Sequence, residues 1–226
     1  MASIGGEPEP RPIKTSLIKS RILNVATPNN YVVRFNPPRE VNAFLRARGL
    51  NDLIKEDVEL RCLITTTPGT SFLTHSVSAD YHGVVEEIPY RRAYENEIGM
   101  TFIVDNNYDT VAFFEAWVDY MSGVGPVKPR DAYKNTYVNY RMNYYKDYRS
   151  TLTIQKFERD NTEFEPIKES RENKKSMTYT LISAYPKQIN SMDLAYGPAE
   201  EFLRLAVTFG YSRYVRERTV LKDQEE

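Results

Sequence analysis

The side chains best suited to acid–base, nucleophilic or metal chemistry in this chain are two histidines, His75 and His82, and one cysteine, Cys62. A zinc site needs more sulfur and imidazole than this, or a spacing such as H-E-x-x-H, and neither is present. Both histidines fall in adjacent polar segments and read as surface residues. Cys62 alternates with apolar neighbours, which suits an inert core thiol better than a nucleophile. The stretch "GVGPVK" superficially resembles a phosphate-binding loop. It lacks the G-x-x-x-x-G-K-[ST] spacing, and prolines stand where backbone donors are needed. Carboxylates in "VVEEIP" and "AEEF" read as solvated faces rather than acid/base pairs. The expectation is a protein without catalytic residues, cofactor or metal.

A different chemistry is suggested by "TYVNYRMNYYKDYRSTLTIQ", where tyrosines interleave with cations. Tyr133, Tyr137, Tyr140, Tyr144 and Tyr148 recur at steps of three or four, so one short helix or turn-rich segment could present them together. They could pack that segment onto a sheet with hydroxyls at the rim. They could instead form an inter-subunit contact, where tyrosine is enriched. Stacking on single-stranded bases would need a basic groove beside the rings. Asp131 and Asp147 dilute the charge of Lys134, Arg141, Lys146 and Arg149, which ranks a single-stranded nucleic-acid binding module last.

Composition points the same way. The 226 residues carry 30 Lys+Arg against 31 Asp+Glu, a formal net charge of -1, so there is no basic excess to neutralise phosphates. That length suits one domain with a proper core. A single cysteine excludes an internal disulfide and fits an intracellular assembly site. The start "MASIGGEPEPRPIKT" reads as no signal peptide, and no apolar run is long enough to span a bilayer.

Elements must position these residues. Residues 1–20 read as a flexible arm, either disordered or ordered against a neighbouring subunit. Tyr31, Val33 and Phe35 alternate as a strand that Pro37-Pro38 stops. Val41, Phe44, Leu45 and Ala47 predict one short helix, closed at Gly49, inside a long connection over 37–57. Val58, Leu60 and Cys62 alternate like a strand, and Pro68-Gly69 signals a turn. Two polar-faced strands then flank a bend near Gly83, with Pro89 marking a bulge or edge. Met100, Phe102 and Val104 share the buried face of a further strand. The strongest helical pattern is Val111, Phe114, Trp117, Val118 and Met121, with Asp109 as N-cap and Gly123 as stop. Three more strands follow: "STLTIQKFER", "MTYTLISAYPKQI" ended by Pro186, and "FLRLAVTFGYSRYVRER", separated in part by a charged excursion over 160–176. Residues 217–226 read as a polar tail. The sum is a mainly β chain, a sandwich or barrel-like pair of sheets with one helix capping an open end.

Several of these segments, in order, resemble the tail tube proteins of contractile-tailed bacteriophages (myovirus type). They are "NNYVVRF", "LRCLITTTPGTSFLT", "YHGVVEEIPYRRAYENEIGMTFIVDNNYDTVAFFEAWVDYMSG", "NYYKDYRSTLTIQKFERD", "TYTLISAYPKQINSMDLAYG" and "EFLRLAVTFGYSRYV", spanning about residues 25–216. The order and spacing carry the likeness: a cysteine-bearing strand before a Pro-Gly turn, an "FFE-x-W" helix, an "A-Y-P" strand and a final "VTF-x-Y" strand. The resemblance implies one tail-tube domain over 21–216, with two antiparallel sheets packed near-orthogonally and a helix at the side. It implies a virion structural protein whose hexameric rings stack into a self-assembling tube inside a contractile sheath. Viral DNA would pass through the lumen transiently at genome ejection. Implied partners are further copies, the tail sheath protein, a baseplate tube initiator and a tail terminator, with assembly in the host cytoplasm and no membrane insertion. The proline-rich arm and the 37–57 and 160–176 insertions leave a baseplate-associated tube initiator as the alternative. Within this frame Phe113, Phe114 and Trp117 are assigned to the helix–sheet core. The hairpin residues Phe72, Ser76, Tyr81, His82, Gly83, Glu86, Glu87, Tyr90, Arg91 and Tyr94 are assigned to ring stacking and neighbour contact, because few of them are large enough to fill a private core.

Overall fold

Alternation of Tyr31, Val33 and Phe35 with Val32 and Arg34 produces strand β1 (Tyr31–Asn36), with Val33 and Phe35 buried. The structure is a computed structural model describing residues 26–77, 85–123, 141–157, 175–194 and 202–220. The N-terminal arm, the charged excursion and the bend at Gly83 lie outside the described residues, as do Tyr81 and His82.

The long connection holds two helices where one was expected, α1 (Arg39–Ala47) and α2 (Asp52–Leu60). Gly49 closes the first at φ +86°, a left-handed conformation that favours glycine. Asn51 opens the second, its Oδ1 accepting from the Ile54 N–H at 3.1 Å. The strand expected from Val58 and Leu60 is the last turn of α2 instead. Helical spacing buries Val58 and leaves Leu60 72% exposed, and a three-residue apolar alternation is too short to separate the two periods. Val41, Leu45, Leu50 and Val58 are all buried, so this segment is part of the core rather than an appendage to it.

β2 (Cys62–Thr65), β3 (Thr70–Val77), β4 (Glu86–Tyr94) and β5 (Glu97–Ile103) follow, and β5 buries Met100 and Phe102 on one face as expected. α3 (Asp109–Met121) buries Phe113, Phe114, Trp117 and Met121. Its start corrects the expected N-cap. Tyr108 takes that position at φ 61°, and its side chain makes no cap hydrogen bond. The acceptor is Asp105, which takes the Asp109 N–H on Oδ2 at 3.2 Å and the Thr110 N–H on Oδ1 at 3.0 Å. Gly123, at φ 71°, ends the helix as predicted.

The rest is α4 (Tyr145–Tyr148), β6 (Ser150–Phe157), β7 (Lys175–Ile189), β8 (Arg204–Gly210) and β9 (Arg213–Val220). All ladders are antiparallel. One sheet runs β1-β6-β7-β9, the other β7-β8-β5-β2, and β7 belongs to both. β8 and β9 behave as one strand bent at Tyr211–Ser212, because Ile182 faces Arg213 and Tyr185 faces Gly210 in the same register. β7 turns the same corner at Ser183, φ 60°. Pro186 does not end β7. The β6 pairing stops at Ala184, so beyond it one flank of β7 is an edge, and the register shifts between Pro186 and Gln188. A missing N–H is tolerated in that position. Residues 217–220, expected in a polar tail, belong to β9, where Glu217 and Arg218 pair with Thr178 and Met177.

The result is mainly β, with two antiparallel sheets; the described residues form three helices of nine or more residues, the helix over Asp52–Leu60 being the one not expected. Phe35 sits at the centre of the core. Its ring lies 5.6 Å from Phe209, 5.8 Å from Phe114 and 6.4 Å from Trp117. α3 covers that cluster, and Phe113, Phe114 and Trp117 on it are buried.

Candidate functional site: an assembly surface

The reactive groups are quiet. Cys62 is half-buried, and burial pushes its thiol up to about 12, so it is not a thiolate near neutral pH. His75 is exposed on β3, opposite Ile88. Among the described residues no three His, Cys, Asp or Glu gather as metal ligands. An open cleft of about 510 Å³ lies at the sheet corner, lined by Asn96, Glu97, Tyr145, Tyr185, Lys187 and Ser212. Its two charges, Lys187 and Glu97, are spent on each other in an exposed ion pair. No described helix is long and apolar enough to cross a membrane.

The tyrosine cluster resolves as packing where it is described; Tyr133, Tyr137 and Tyr140 lie outside the described residues. Tyr145, Tyr148 and Tyr185 form an edge-on triangle with centroids 5.5–5.8 Å apart. The Tyr145 hydroxyl donates to the Ser183 carbonyl at 3.1 Å, and Trp117 Nε1 donates to the Tyr148 carbonyl at 3.4 Å. These contacts pin α4 to β7 at Ser183 and to α3. Edge-on rings offer no flat platform for bases. Tyr144 stands apart, 66% exposed ahead of the helix.

Other strand edges are closed within the chain too. The Phe35 N–H, pointing away from β6, donates to Glu59 Oε1 of α2 at 2.7 Å. The Tyr31 hydroxyl donates to the Cys62 carbonyl at 3.1 Å. Tyr31 thus ties β1 to β2, the two ends of the sheet path, and Glu59 ties β1 to α2. A helix carboxylate that occupies an edge N–H leaves that group unable to pair with a foreign strand. β9 differs: among the described residues its only ladder partner is β7.

The hairpin β3–β4 is the other unclosed element. It makes a separate two-stranded sheet, and every residue of β3 is exposed, as are Glu86–Arg92 of β4. Its ladder is in register from Thr70↔Tyr94 to Leu73↔Arg91, then slips so that Thr74 faces Pro89 and Tyr90 is the extra residue. This is the bulge that Pro89 predicts. Directly opposed residues share a face. One face carries Thr70, Phe72, Thr74 and Ser76 with Tyr94, Arg92 and Glu87. Its base is anchored on β9, where Tyr94 and Tyr214 meet edge-on at 5.5 Å and Arg92 Nη2 donates to the Tyr214 hydroxyl at 3.4 Å. The second face carries Leu73, His75 and Val77 with Arg91, Ile88 and Glu86.

The structure therefore brings Phe72, Ser76, Glu86, Glu87, Tyr90, Arg91 and Tyr94 onto one projecting arm. Tyr94 is its half-buried root, and Phe72 and Tyr90 are 62% and 68% exposed. Sequence reading passed over Leu73, Val77 and Ile88, which are exposed by 40–52%. Their alternation with Thr74 and Ser76 was the available signal. It also missed Glu59, because an edge-blocking carboxylate looks like any other charge in a helix until the strand beside it is placed.

Two antiparallel sheets, flanking helices and a projecting two-stranded arm define a mainly β structural scaffold. A model of the phage tail tube protein family matches residues 26–217, and the chain belongs to that family. It is a tail-tube-type structural protein of a phage tail and not an enzyme. Among solved structures, a chain of the anti-feeding prophage baseplate superposes with a TM-score of 0.51 at 9% identity, over 86% of this chain and 96% of that one. A chain of the sheath–tube complex of an extracellular contractile injection system is similar at 11% identity over 91% and 99%, with a TM-score of 0.44. At such identities the first likeness speaks for the fold alone, and the second is too distant to carry an argument. A comparison with curated protein sequences found no match.

Proposed function

We propose that this protein is the subunit of a tail tube, closing into hexameric rings that stack around a channel for viral DNA inside a contractile sheath. The observation that carries the reading is the β3–β4 arm, a two-stranded sheet exposed along both faces on an otherwise well-packed chain. An isolated two-stranded hairpin is marginal in water, so this one gains order only when a neighbour buries it. The edge of β9 beside the arm's root, without a ladder partner among the described residues, offers backbone groups for the same association. A formal net charge of -1 suits a lumen that lets a polyanion slide, since clustered phosphate contacts would hold it. The working partners are further copies, a sheath protein, a baseplate initiator and a tube terminator. The working place is the virion tail after assembly in the host cytoplasm.

Electron microscopy of the purified protein, alone and with its baseplate partner, is the test. Six-membered rings or stacked tubes are expected; a solitary globule under both conditions rejects the reading. The tube initiator is the second reading, favoured by the fold likeness to a chain of a baseplate structure that was 6-fold symmetrised. Copy number per virion separates the two: many rings for a tube subunit, one for an initiator.

A further inference from the structure

A second exposed patch lies away from the arm, on α2. Its buried side is Val58 with Ile54 and Glu59 half-buried beside it. The opposite side, at helical spacing, is Leu53, Glu56, Asp57 and Leu60, all exposed, with the two leucines at 69% and 72%. Two large apolar side chains flanking two carboxylates are an unusual solvent face for a helix of nine residues. The second face of the arm is its counterpart in chemistry and size. Leu73, Val77 and Ile88 supply apolar area, and Arg91, directly opposite Leu73, supplies a cation with no ion-pair partner among the described residues. Leu53 to Leu60 spans roughly 10 Å along a helix, and Leu73 to Val77 roughly 13 Å along a strand.

We propose that the Leu73–Ile88–Arg91 face of the arm docks on the Leu53–Glu56–Asp57–Leu60 stripe of a neighbouring copy of this chain. Both patches are exposed among the described residues, so the docking is assigned between molecules. The two patches differ, so it is head-to-tail, the kind of contact that closes rings or extends filaments. The leucines and Ile88 bury one another while Arg91 meets Glu56 and Asp57 at the rim, where charge sets partner and register. This rests on the ring reading above and adds which surfaces meet.

Cross-linking tests it in the full chain, in a Cys62→Ala background. Leu60→Cys and Leu73→Cys proteins are mixed under tube-forming conditions and mildly oxidised. A disulfide-linked dimer that appears on mixing, and with neither variant alone, is expected. Leu53→Cys replaces Leu60→Cys if the latter misfolds. In parallel, Arg91→Glu lowers tube yield by about tenfold or more, and Glu56→Arg in the same chain restores most of it. Normal rings with no cross-link and an indifferent Arg91→Glu variant overturn this docking and leave the ring reading standing. Wild-type protein that forms no ring even with its baseplate partner overturns the ring reading instead.

Discussion

Asp105 shows how much one side chain can organise here. It accepts the Thr110 hydroxyl at 3.0 Å and the first two free N–H groups of α3, and lies 3.2 Å from Arg61 with its own side chain only 10% exposed. Burial pushes its carboxyl up, but the hydrogen bonds from Thr110 and Asp109 outweigh that and hold it down at about 2. A carboxyl depressed in the folded state stabilises above its unfolded pKa of about 4 and loses that contribution as pH falls through about 2. Asp105→Ala should cost about 2 kcal/mol at pH 7, at the upper end of cap losses, and urea denaturation measures it. The loss of stability between pH 5 and 2 should be shallower in Asp105→Asn than in wild type, which urea midpoints at about pH 5 and about pH 3 will register. Trp117 works through volume. It is fully buried against Phe35 and Phe113, so Trp117→Ala should cost about 3–5 kcal/mol in the same assay.

At the scale of elements, the contrast is between edges closed inside the chain and edges left open. Glu59→Gln keeps the bond from the Phe35 N–H, whereas Glu59→Ala strips it and exposes β1. Glu59→Ala is expected to aggregate more readily on warming, read by light scattering, while Glu59→Gln stays near wild type. The arm behaves in the opposite sense. Phe72 and Tyr90 touch solvent, so replacing both by aspartate should leave the thermal midpoint within a degree or two, since surface changes fall within about 0.5 kcal/mol. The same variant should form no tubes under the microscope; normal tubes would remove the arm from the interface.

The whole molecule is two sheets folded about one corner. β7 and the β8–β9 strand cross it together in one register, so the corner is a bend in a continuous ladder rather than a break between domains. The aromatic cluster around Phe35 fills one side of that bend, and α1, α2 and α3 seal it. Among the described residues the arm, the β9 edge and the outer stripe of α2 are exposed. A subunit so divided should unfold in a single cooperative step as a monomer. On the proposed ring reading its apparent melting temperature should rise with protein concentration, which scanning calorimetry across a concentration series will show.

Local periods were legible in the sequence. Val33 and Phe35, Met100 and Phe102, Leu152 and Ile154, and Leu205, Val207 and Phe209 alternate, and all face the core. Phe113, Phe114 and Trp117 repeat at helical spacing and are buried. Pro89 announced its bulge because a residue without an N–H cannot keep a ladder. Tertiary structure alone decided whichever features depend on a neighbour distant in the chain. Val58 joined a helix because a core-facing slot beside β1 was there to fill. Pro186 stayed in its strand because β6 had already ended. Asp105, four residues ahead, capped α3 in place of Asp109. Glu59 took up the Phe35 N–H of β1 and Tyr31 tied β1 to β2, while among the described residues the faces of the arm stay exposed. Apolar spacing reports what a residue needs; which partner meets that need is set by the three-dimensional arrangement.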